Sequence, residues 1–330
     1  MVLPTAQGIF RNLAESLNYL DSDYFPSGAG NVLNQEPKSK KGRWIPLIFM
    51  HTVGLGVIFV GASATAVLTA IALYWVRMFA ITGFYHRYFS HRTFKTSRFA
   101  QFVFAALGTT AVQRGPLWWA AHHRNHHQFS DQPKDSHSPR QRGFLWSHLG
   151  WITSDSNIPT DYSKVPDLAK FPELVYLNRF DWIVPILAGL ALYGFGEWLK
   201  FYAPQLGTNG TQMLVWGFVS TIFLYHGTFS INSLAHVFGS RRFETDDDSR
   251  NNFLLAVITM GEGWHNNHHR YPGIARQGLM WWEIDCTYYL LQLLQRFGII
   301  WDLRAAPAAI PSRQEQFEPA HSAKSAVEAP

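Results

Sequence analysis

Long stretches without charge constrain the fold of this chain more than any other feature. No charged residue occurs between Ile45 and Val76, and a second uncharged run extends from Gln212 to Ile231. A membrane-spanning helix needs about 20 apolar residues, so the first run together with the turn that follows it has room for two spans. The apolar run from Trp182 to Trp198 supplies another. We therefore expect four transmembrane helices in two hairpins, at about 45–61, 64–84, 182–199 and 212–231.

The remaining sequence is too polar to lie in a bilayer. Charged residues make up 15% of the chain, below the roughly 25% of ordinary soluble domains, yet the mean hydropathy is only -0.08. These values predict a multi-pass membrane protein with a sizeable polar part outside the bilayer. We divide the chain into a polar N-terminal segment, a membrane domain and a disordered tail rich in Ala, Pro, Ser and Glu, at 1–44, 45–304 and 305–330.

Basic residues flank the predicted spans on one side. Groups of basic residues precede span one, follow span two and follow span four, and Arg179 precedes span three, whereas the two short connections are nearly free of Lys and Arg. The positive-inside rule then predicts that both termini and all the histidine-rich segments are cytoplasmic. No basic run alternates with aromatic residues, so we do not expect nucleic-acid binding. The single cysteine, Cys286, excludes an iron–sulfur cluster held by this chain, which needs about four ligands.

Histidines outside the spans form a repeated pattern. His86 and His91 belong to H-R-Y-F-S-H, and two later segments read H-R-N-H-H and H-N-N-H-H. At this histidine frequency, one H-x-x-H-H is expected in roughly 0.03 chains of this length. Residues at i, i+3 and i+4 share a helix face, close enough to bind a common centre. With His236, which follows span four, the candidate ligands are His86, His91, His123, His126, His127, His236, His265, His268 and His269.

These imidazoles are too many for one ion. A zinc site takes three or four protein ligands, so two ions with four or five ligands each would use the whole set, and nitrogen ligands suit Fe, Cu, Ni or Zn. His122 is expected to support the site from outside the ligand set, and the role of His137 stays open. The other isolated histidines are expected to be structural, at His51, His148, His226 and His321.

The order and content of these boxes resemble the membrane fatty-acid desaturases, most closely the stearoyl-CoA/delta-9 type. The resemblance extends from about Gly83 to Asp302 and includes GFLWSHLGW, NSLAHVFG, GEGWHNNHH and WWEID. It implies an all-α fold, with four spans beneath a cytosolic helical cap. By the same resemblance the cap holds two iron ions on the nine histidines, with Asn232 holding a water on one iron. It also implies O₂ as co-substrate and a cis double bond, at position 9, as the product.

The acyl carrier stays open at this point. Animal acyl-CoA members carry basic residues near the second box and after the G-W, where this chain has Ala120-Ala121-His122 and Thr153-Ser154-Asp155. A fatty-acyl thioester and an acyl-lipid of the membrane are both candidate substrates. Aromatic residues near the boxes are candidates for the wall of an acyl tunnel: Trp118, Trp119, Trp146, Trp151, Phe229 and Trp264.

An unactivated methylene has no acidic proton, so general acid–base catalysis cannot remove its hydrogen, and a metal-based oxidant is required. The chain has no G-x-G-x-x-G motif and no cluster cysteines. We therefore expect an external electron donor, ferredoxin-like, rubredoxin-like or cytochrome b5-like, with its reductase. A membrane di-iron hydroxylase and a non-enzymatic metal-handling protein are the alternatives.

Overall fold

Four long apolar helices dominate the structure, a computed structural model that describes residues 17–307. Their lengths and compositions suit membrane spans, and they extend over Lys41–Val60, Ala64–Ser90, Ile183–Tyr202 and Gly210–His236. The predicted number of spans and their pairing into hairpins are confirmed. The chain is a mostly helical membrane protein.

The two hairpin connections lie together at one end of the spans. Ser63 caps the second span by accepting a hydrogen bond from the backbone N–H of Ala66. Asn209 caps the fourth span by accepting one from the backbone N–H of Gln212. Ser63 Oγ also donates to Gln212 Oε1 at 2.6 Å. Gly61 adopts a φ of 67° in the first connection, a conformation that glycine reaches without steric cost.

The second and fourth spans continue beyond their predicted ends at 84 and 231. The second changes at Ala80 from an α-helix to a π-helix that ends at Ser90, and the fourth ends in a 3₁₀ turn at His236. The predicted ends mark where the apolar residues stop. Both helices nevertheless continue, because the polar residues beyond those points are covered by the cap, as His86 and His236 show at 3% exposure each.

The cap is built from the segments between and after the hairpins, at the end of the spans opposite the two connections. It contains one two-stranded antiparallel sheet, Lys95–Thr96 with Ile300–Trp301. Its α-helices are Arg98–Thr109, Pro116–Phe129, Pro139–Arg142, Phe144–His148, Pro166–Ala169, Pro172–Arg179, Phe253–Ile258, His265–Arg270 and Cys286–Arg296. Short 3₁₀ turns lie at Gly150–Thr153, Asp155–Asn157 and Tyr162–Lys164.

One apolar core joins the cap to the second span. Met78, Phe84 and Phe89 from this span pack with Leu117 and Leu291 from cap helices. Burial of such side chains contributes about 1.5–3 kcal/mol each, so the core fixes the π-helix against the cap.

The described part of the N-terminal segment, residues 17–44, packs on the cap. Asp23 accepts hydrogen bonds from Thr160, Tyr162 and Asn178. The short helix Ala29–Leu33 and the 3₁₀ turn Lys41–Trp44 lead from here into the first span, which comprises the helices Ile45–Leu55 and Val57–Val60. The division at 44 and the disordered tail remain predictions, and residues 308–330 lie outside the described part of the chain.

Candidate metal centre and substrate cavity

The first histidine box depends on the π-helical register. In a π-helix the N–H of residue i+5 bonds to the carbonyl of residue i, so residues five apart lie above one another. His91 N donates to His86 O at 3.2 Å, and Ser90 Oγ donates to Tyr85 O at 2.9 Å. The H-x₄-H spacing therefore places both imidazoles on the same side, which an α-helix would not do.

The second and third boxes lie on short α-helices, Pro116–Phe129 and His265–Arg270. On an α-helix, residue i+4 is turned about 40° from residue i in one direction, and i+3 about 60° in the other. In each box the i and i+4 histidines accordingly point to one centre and the i+3 histidine to another. Each box thus bridges two centres, where the sequence predicted one common centre per box.

All nine predicted histidines come together in two adjoining clusters. In each cluster one nitrogen from every ring lies within 4.8 Å of the others; the five-histidine cluster is His86, His91, His123, His127 and His268, and the four-histidine cluster is His126, His236, His265 and His269. The clusters touch where the rings of His127 and His269 approach to 4.5 Å between centroids.

The distances between the nitrogens fit ligation of a metal ion. His86 Nε2 and His268 Nε2 are 3.0 Å apart, and His236 Nε2 and His265 Nε2 are 3.1 Å apart. Two imidazole nitrogens at about 2.0–2.1 Å from one ion are separated by roughly this much when they are neighbouring ligands. The donor set therefore suits two metal ions.

The protonation states of five of the nine imidazoles also fit. Burial, followed by repulsion from neighbouring imidazoles, lowers the pKa of five rings well below the ordinary value of 6.5: His91, His123, His127, His265 and His268. These rings are neutral at pH 7, as a metal ligand must be.

Carboxylates orient the four-histidine cluster from behind. Three of its imidazoles place Nδ1 against an aspartate: His236 at 2.8 Å from Asp131, His126 at 2.9 Å from Asp135 and His269 at 2.6 Å from Asp247. Such pairs fix the tautomer and ring orientation of a ligand. The sequence interpretation missed these aspartates, although D-Q-P-K-D, which begins four residues after the end of the second box, and the D-D-D run at 246–248 were visible signals.

The five-histidine cluster has one such carboxylate partner, Glu262. Its Oε2 lies 2.5 Å from His86 Nδ1, and its Oε1 accepts from Arg87 at 3.1 Å. Burial opposes the ionisation of Glu262, but His86 and Arg87 hold its pKa below the ordinary value. Arg87 also bonds to Asp285, which explains why GEGWHNNHH and WWEID accompany the boxes in this chain.

A family model for fatty acid desaturases matches residues 32–286. The chain is 34% identical to an sn-2 palmitoyl-lipid 9-desaturase of Nostoc, covering 84% of this chain and 96% of that protein. It is 37% identical to a delta-9 acyl-lipid desaturase of Arabidopsis thaliana, covering 72% and 75%. It is 34% identical to an acyl-CoA 5-desaturase of Anemone leveillei, covering 91% and 92%.

The chain belongs to the fatty acid desaturase family. The predicted resemblance is confirmed, and the enzyme is an oxidoreductase, as acyl-lipid and acyl-CoA desaturases are. Its histidine clusters are those of a metal-dependent member.

The desaturase contains a cavity of about 490 Å³ beside the five-histidine cluster, within the range of ligand pockets. His123 of the five-histidine cluster lines it, as does Asn232, one helical turn before His236. The opposite end lies between the N-terminal segment and the first span, at Asp21, Arg43 and Met50. The cavity thus connects the metal-binding region with the membrane interface.

Four of the predicted wall residues line the cavity: Trp118, Trp119, Trp151 and Phe229. The other two lie outside the lining. Trp146 donates its indole N–H to Ser136 O at 2.9 Å, and Trp264 is 2% exposed and donates to Ile284 O at 2.8 Å. Both therefore have structural partners in the cap.

The isolated histidines form a second arrangement that the sequence did not indicate. His226 lies between His51 and His148, with Nε2 3.2 Å from His51 and Nδ1 3.0 Å from His148. This chain of rings joins the first span, the fourth span and the cap. His122 and His137 line the cavity beside Trp118 and Trp151, and His321 lies outside the described residues.

Proposed function

We propose that this desaturase uses two iron ions and O₂ to introduce a cis double bond into a saturated fatty-acyl chain. The observation that carries the proposal is the convergence of nine histidines in a five-histidine and a four-histidine cluster against an aromatic cavity. The five-histidine set and the four-histidine set would each hold one iron, with Asn232 holding a water at the latter.

The overall reaction balances with two external electrons. A –CH₂–CH₂– unit, O₂, two electrons and two protons give –CH=CH– and two waters. Bound iron supplies the oxidising power, and the protein supplies position and exclusion of water. Trp118, Trp119 and Trp151 would hold the acyl chain, so that only one pair of methylenes reaches the metals, and a bent path would favour the cis product.

We propose position 9 for the new double bond. Two of the three relatives named above act at position 9 and one at position 5. Since neighbouring methylenes are chemically alike, position depends on how far the cavity admits the chain. Chromatography of the products reads the position directly.

We further propose that the acyl chain is presented on a membrane lipid rather than on coenzyme A. The two cations that line the cavity are already paired with carboxylates. Arg43 bonds to Asp155 at 2.8 Å, and Arg114 lies 3.4 Å from Asp23 and 3.3 Å from Asp181. Coenzyme A carries several phosphates, and binding them requires unpaired cations. A glycerolipid ester enters from the bilayer, and its binding does not require such cations.

The test is expression in a host that lacks unsaturated fatty acids, with iron and a reduced donor supplied. We expect a new cis alkene in the lipid fraction, and none from the His268→Gln variant. An alcohol product would identify a hydroxylase instead, and iron loading without O₂ consumption would identify a metal-handling protein.

Purified enzyme in vesicles tests the carrier. We expect labelled phosphatidylglycerol to be desaturated at least about tenfold faster than the acyl-CoA of the same chain. The Asp155→Asn variant, which releases Arg43 and Lys40, should improve the use of acyl-CoA. Equal rates on both carriers in the unmodified enzyme would contradict the lipid assignment while leaving desaturation established.

A further inference from the structure

A cationic surface lies directly behind the ligands of the five-histidine cluster. Its centre is Phe129, the last residue of the second-box helix, and the side-chain ammonium groups of Lys134 and Lys164 each lie 5.2 Å from the centre of its ring. Arg124 and Arg92 extend the surface, where they share Asp167. We call these residues the Phe129 patch: Arg92, Arg124, Phe129, Lys134 and Lys164.

The charge of the patch is uncompensated. Four cations face one carboxylate, Asp167, and none of the carboxylates within residues 17–307 forms an ion pair with Lys134 or Lys164. Some other cap cations are paired one to one, as Arg242 is with Glu283 and Arg179 with Asp21. In the patch, Lys134 and Lys164 lie around one apolar ring without a carboxylate partner, beside two arginines that share a single carboxylate. Such an excess of positive charge raises the self-energy of the surface, and a partner of opposite charge would relieve it.

The patch is also close in sequence to three of the candidate metal ligands. Arg92 follows His91, Arg124 follows His123, and Phe129 is two residues from His127. These three histidines are the half-buried members of their cluster, whereas His86 and His268 are fully buried. An electron carrier bound at the patch would therefore lie close to the five-histidine side of the centre.

We propose that the Phe129 patch is the docking site of the electron donor, and that this donor is a small acidic one-electron carrier. The inference rests on the proposed function, because desaturation consumes two electrons per turnover and the chain offers no flavin, nicotinamide or cluster motif to supply them. Each donor molecule gives up one electron, so two donor molecules must dock in turn for each double bond formed. Charge complementarity accelerates association without requiring a large interface.

The experiment uses the full-length iron-loaded enzyme in lipid vesicles, with reduced plant-type [2Fe–2S] ferredoxin as an acidic probe. At low ionic strength we expect Lys134→Glu to raise the KM for ferredoxin by about tenfold and Lys134→Gln by about threefold. The kcat at saturating ferredoxin should stay within about twofold. Both differences should shrink at 0.5 M salt, since screening removes the attraction.

Lys170→Glu is the matched control. Lys170 is an exposed lysine 5.6 Å from the ring centre of Phe171, so it repeats the lysine–phenylalanine geometry on a segment without histidine ligands. Its KM for ferredoxin should change by less than about twofold. A KM that is unaffected by Lys134→Glu, or equally affected by Lys170→Glu, overturns the docking site.

A single-turnover assay separates this inference from the proposed function. Enzyme reduced chemically, freed of reductant and then exposed to O₂ needs no docked donor. The Lys134→Glu variant should form as much alkene per iron as the unmodified enzyme. Absence of alkene from the unmodified enzyme would contradict the proposed function, whereas loss in the variant alone would show that Lys134 supports the site and does not act in docking.

Discussion

At the residue scale, the spacing of the boxes predicts eight of the nine clustered histidines, and the ninth, His236, is predicted from its position just after span four. Spacing reveals residues that share a helix face, and both H-x-x-H-H boxes lie on helices. It cannot reveal partners that arrive from loops. Asp131 and Asp247 lie in irregular segments, one before the fourth span in the chain and the other after it. No periodic sequence pattern therefore marks them.

The aspartates that orient the histidines lead to a prediction about metal affinity. Asp131→Asn removes the charge that faces His236 Nδ1 at 2.8 Å. Loss of such a partner typically costs tenfold to a hundredfold in metal affinity or activity, so we expect a loss of that order in iron retained after dialysis and in turnover. Asp248→Asn is the control, because its carboxylate lies near Arg140 on the surface. Equal loss in both variants would show that the effect comes from removing any negative charge, and not from the contact between Asp131 and His236.

A pH effect belongs to the chain of three histidines between the spans and the cap. Burial, and then the neighbouring His226, lower the pKa of His148 below the ordinary 6.5. As the pH falls through 6.5, the unfolded chain gains a proton at this position before the folded protein does. The contribution of His148 to stability is therefore complete above pH 6.5 and is lost progressively below it.

Melting temperatures between pH 8 and pH 5 check this effect. The fall in Tm on acidification should be smaller in His148→Gln than in the unmodified enzyme. Phe144→Leu is the control, because Phe144 stacks on the same imidazole at 5.7 Å but does not titrate. If His148→Gln and the unmodified enzyme lose stability in parallel, the ring does not titrate in this range.

At the element scale, hydropathy located the spans but not the change of helical register. A π-helix has the same composition as an α-helix, and the register at Ala80 is set by packing against the cap. Tyr85 shows this, since its hydroxyl forms hydrogen bonds with Thr109 Oγ1 at 2.9 Å and Ala105 O at 3.2 Å. The H-x₄-H spacing itself was the available signal. Two histidines five residues apart lie on the same side of a helix only where the backbone hydrogen bonds join residues i and i+5.

Gly108 is predicted to be required for the π-helix. A Cβ at this position would lie 2.1 Å from Cε1 of Tyr85, and the hydrogen bonds of Tyr85 prevent its ring from moving away. Gly108→Ala should therefore destabilise the enzyme by about 1–3 kcal/mol and lower the iron content by displacing His86. Gly194→Ala is the matched control in the third span, where nothing lies within 4 Å of the added methyl group.

Denaturation and iron content should be measured together for these variants. We expect Gly194→Ala to be neutral or slightly stabilising, since alanine favours helices over glycine by about 1 kcal/mol. A Gly108→Ala enzyme with unchanged stability and unchanged iron content would show that the ring of Tyr85 can move aside.

At the scale of the whole molecule, the sequence supplied the number of spans, the cap and the family. It did not supply the cavity, because the cavity wall combines the N-terminal segment, the first and fourth spans and the cap, as Asp21, Met50, Phe229 and Trp118 illustrate. Contacts between segments so distant in the chain leave no local pattern. For the same reason nearness to the boxes in sequence predicts Trp146 and Trp264 as wall residues, although their indole N–H groups donate to Ser136 and Ile284.

The orientation in the bilayer is the remaining whole-molecule prediction, and the single cysteine makes it measurable. Cys286 is exposed on the cap, so a membrane-impermeant maleimide should label it in inverted vesicles and not in right-side-out cells. Burial, followed by Asp285, raises the pKa of this thiol, and labelling at about pH 8.5 offsets the lower fraction of thiolate.

A Cys286→Ser enzyme carrying Gln205→Cys, in the exposed connection between spans three and four, should give the opposite pattern. Labelling of both positions from the same side would contradict two hairpins that each cross the bilayer, since one end of the spans carries the cap and the other carries this connection.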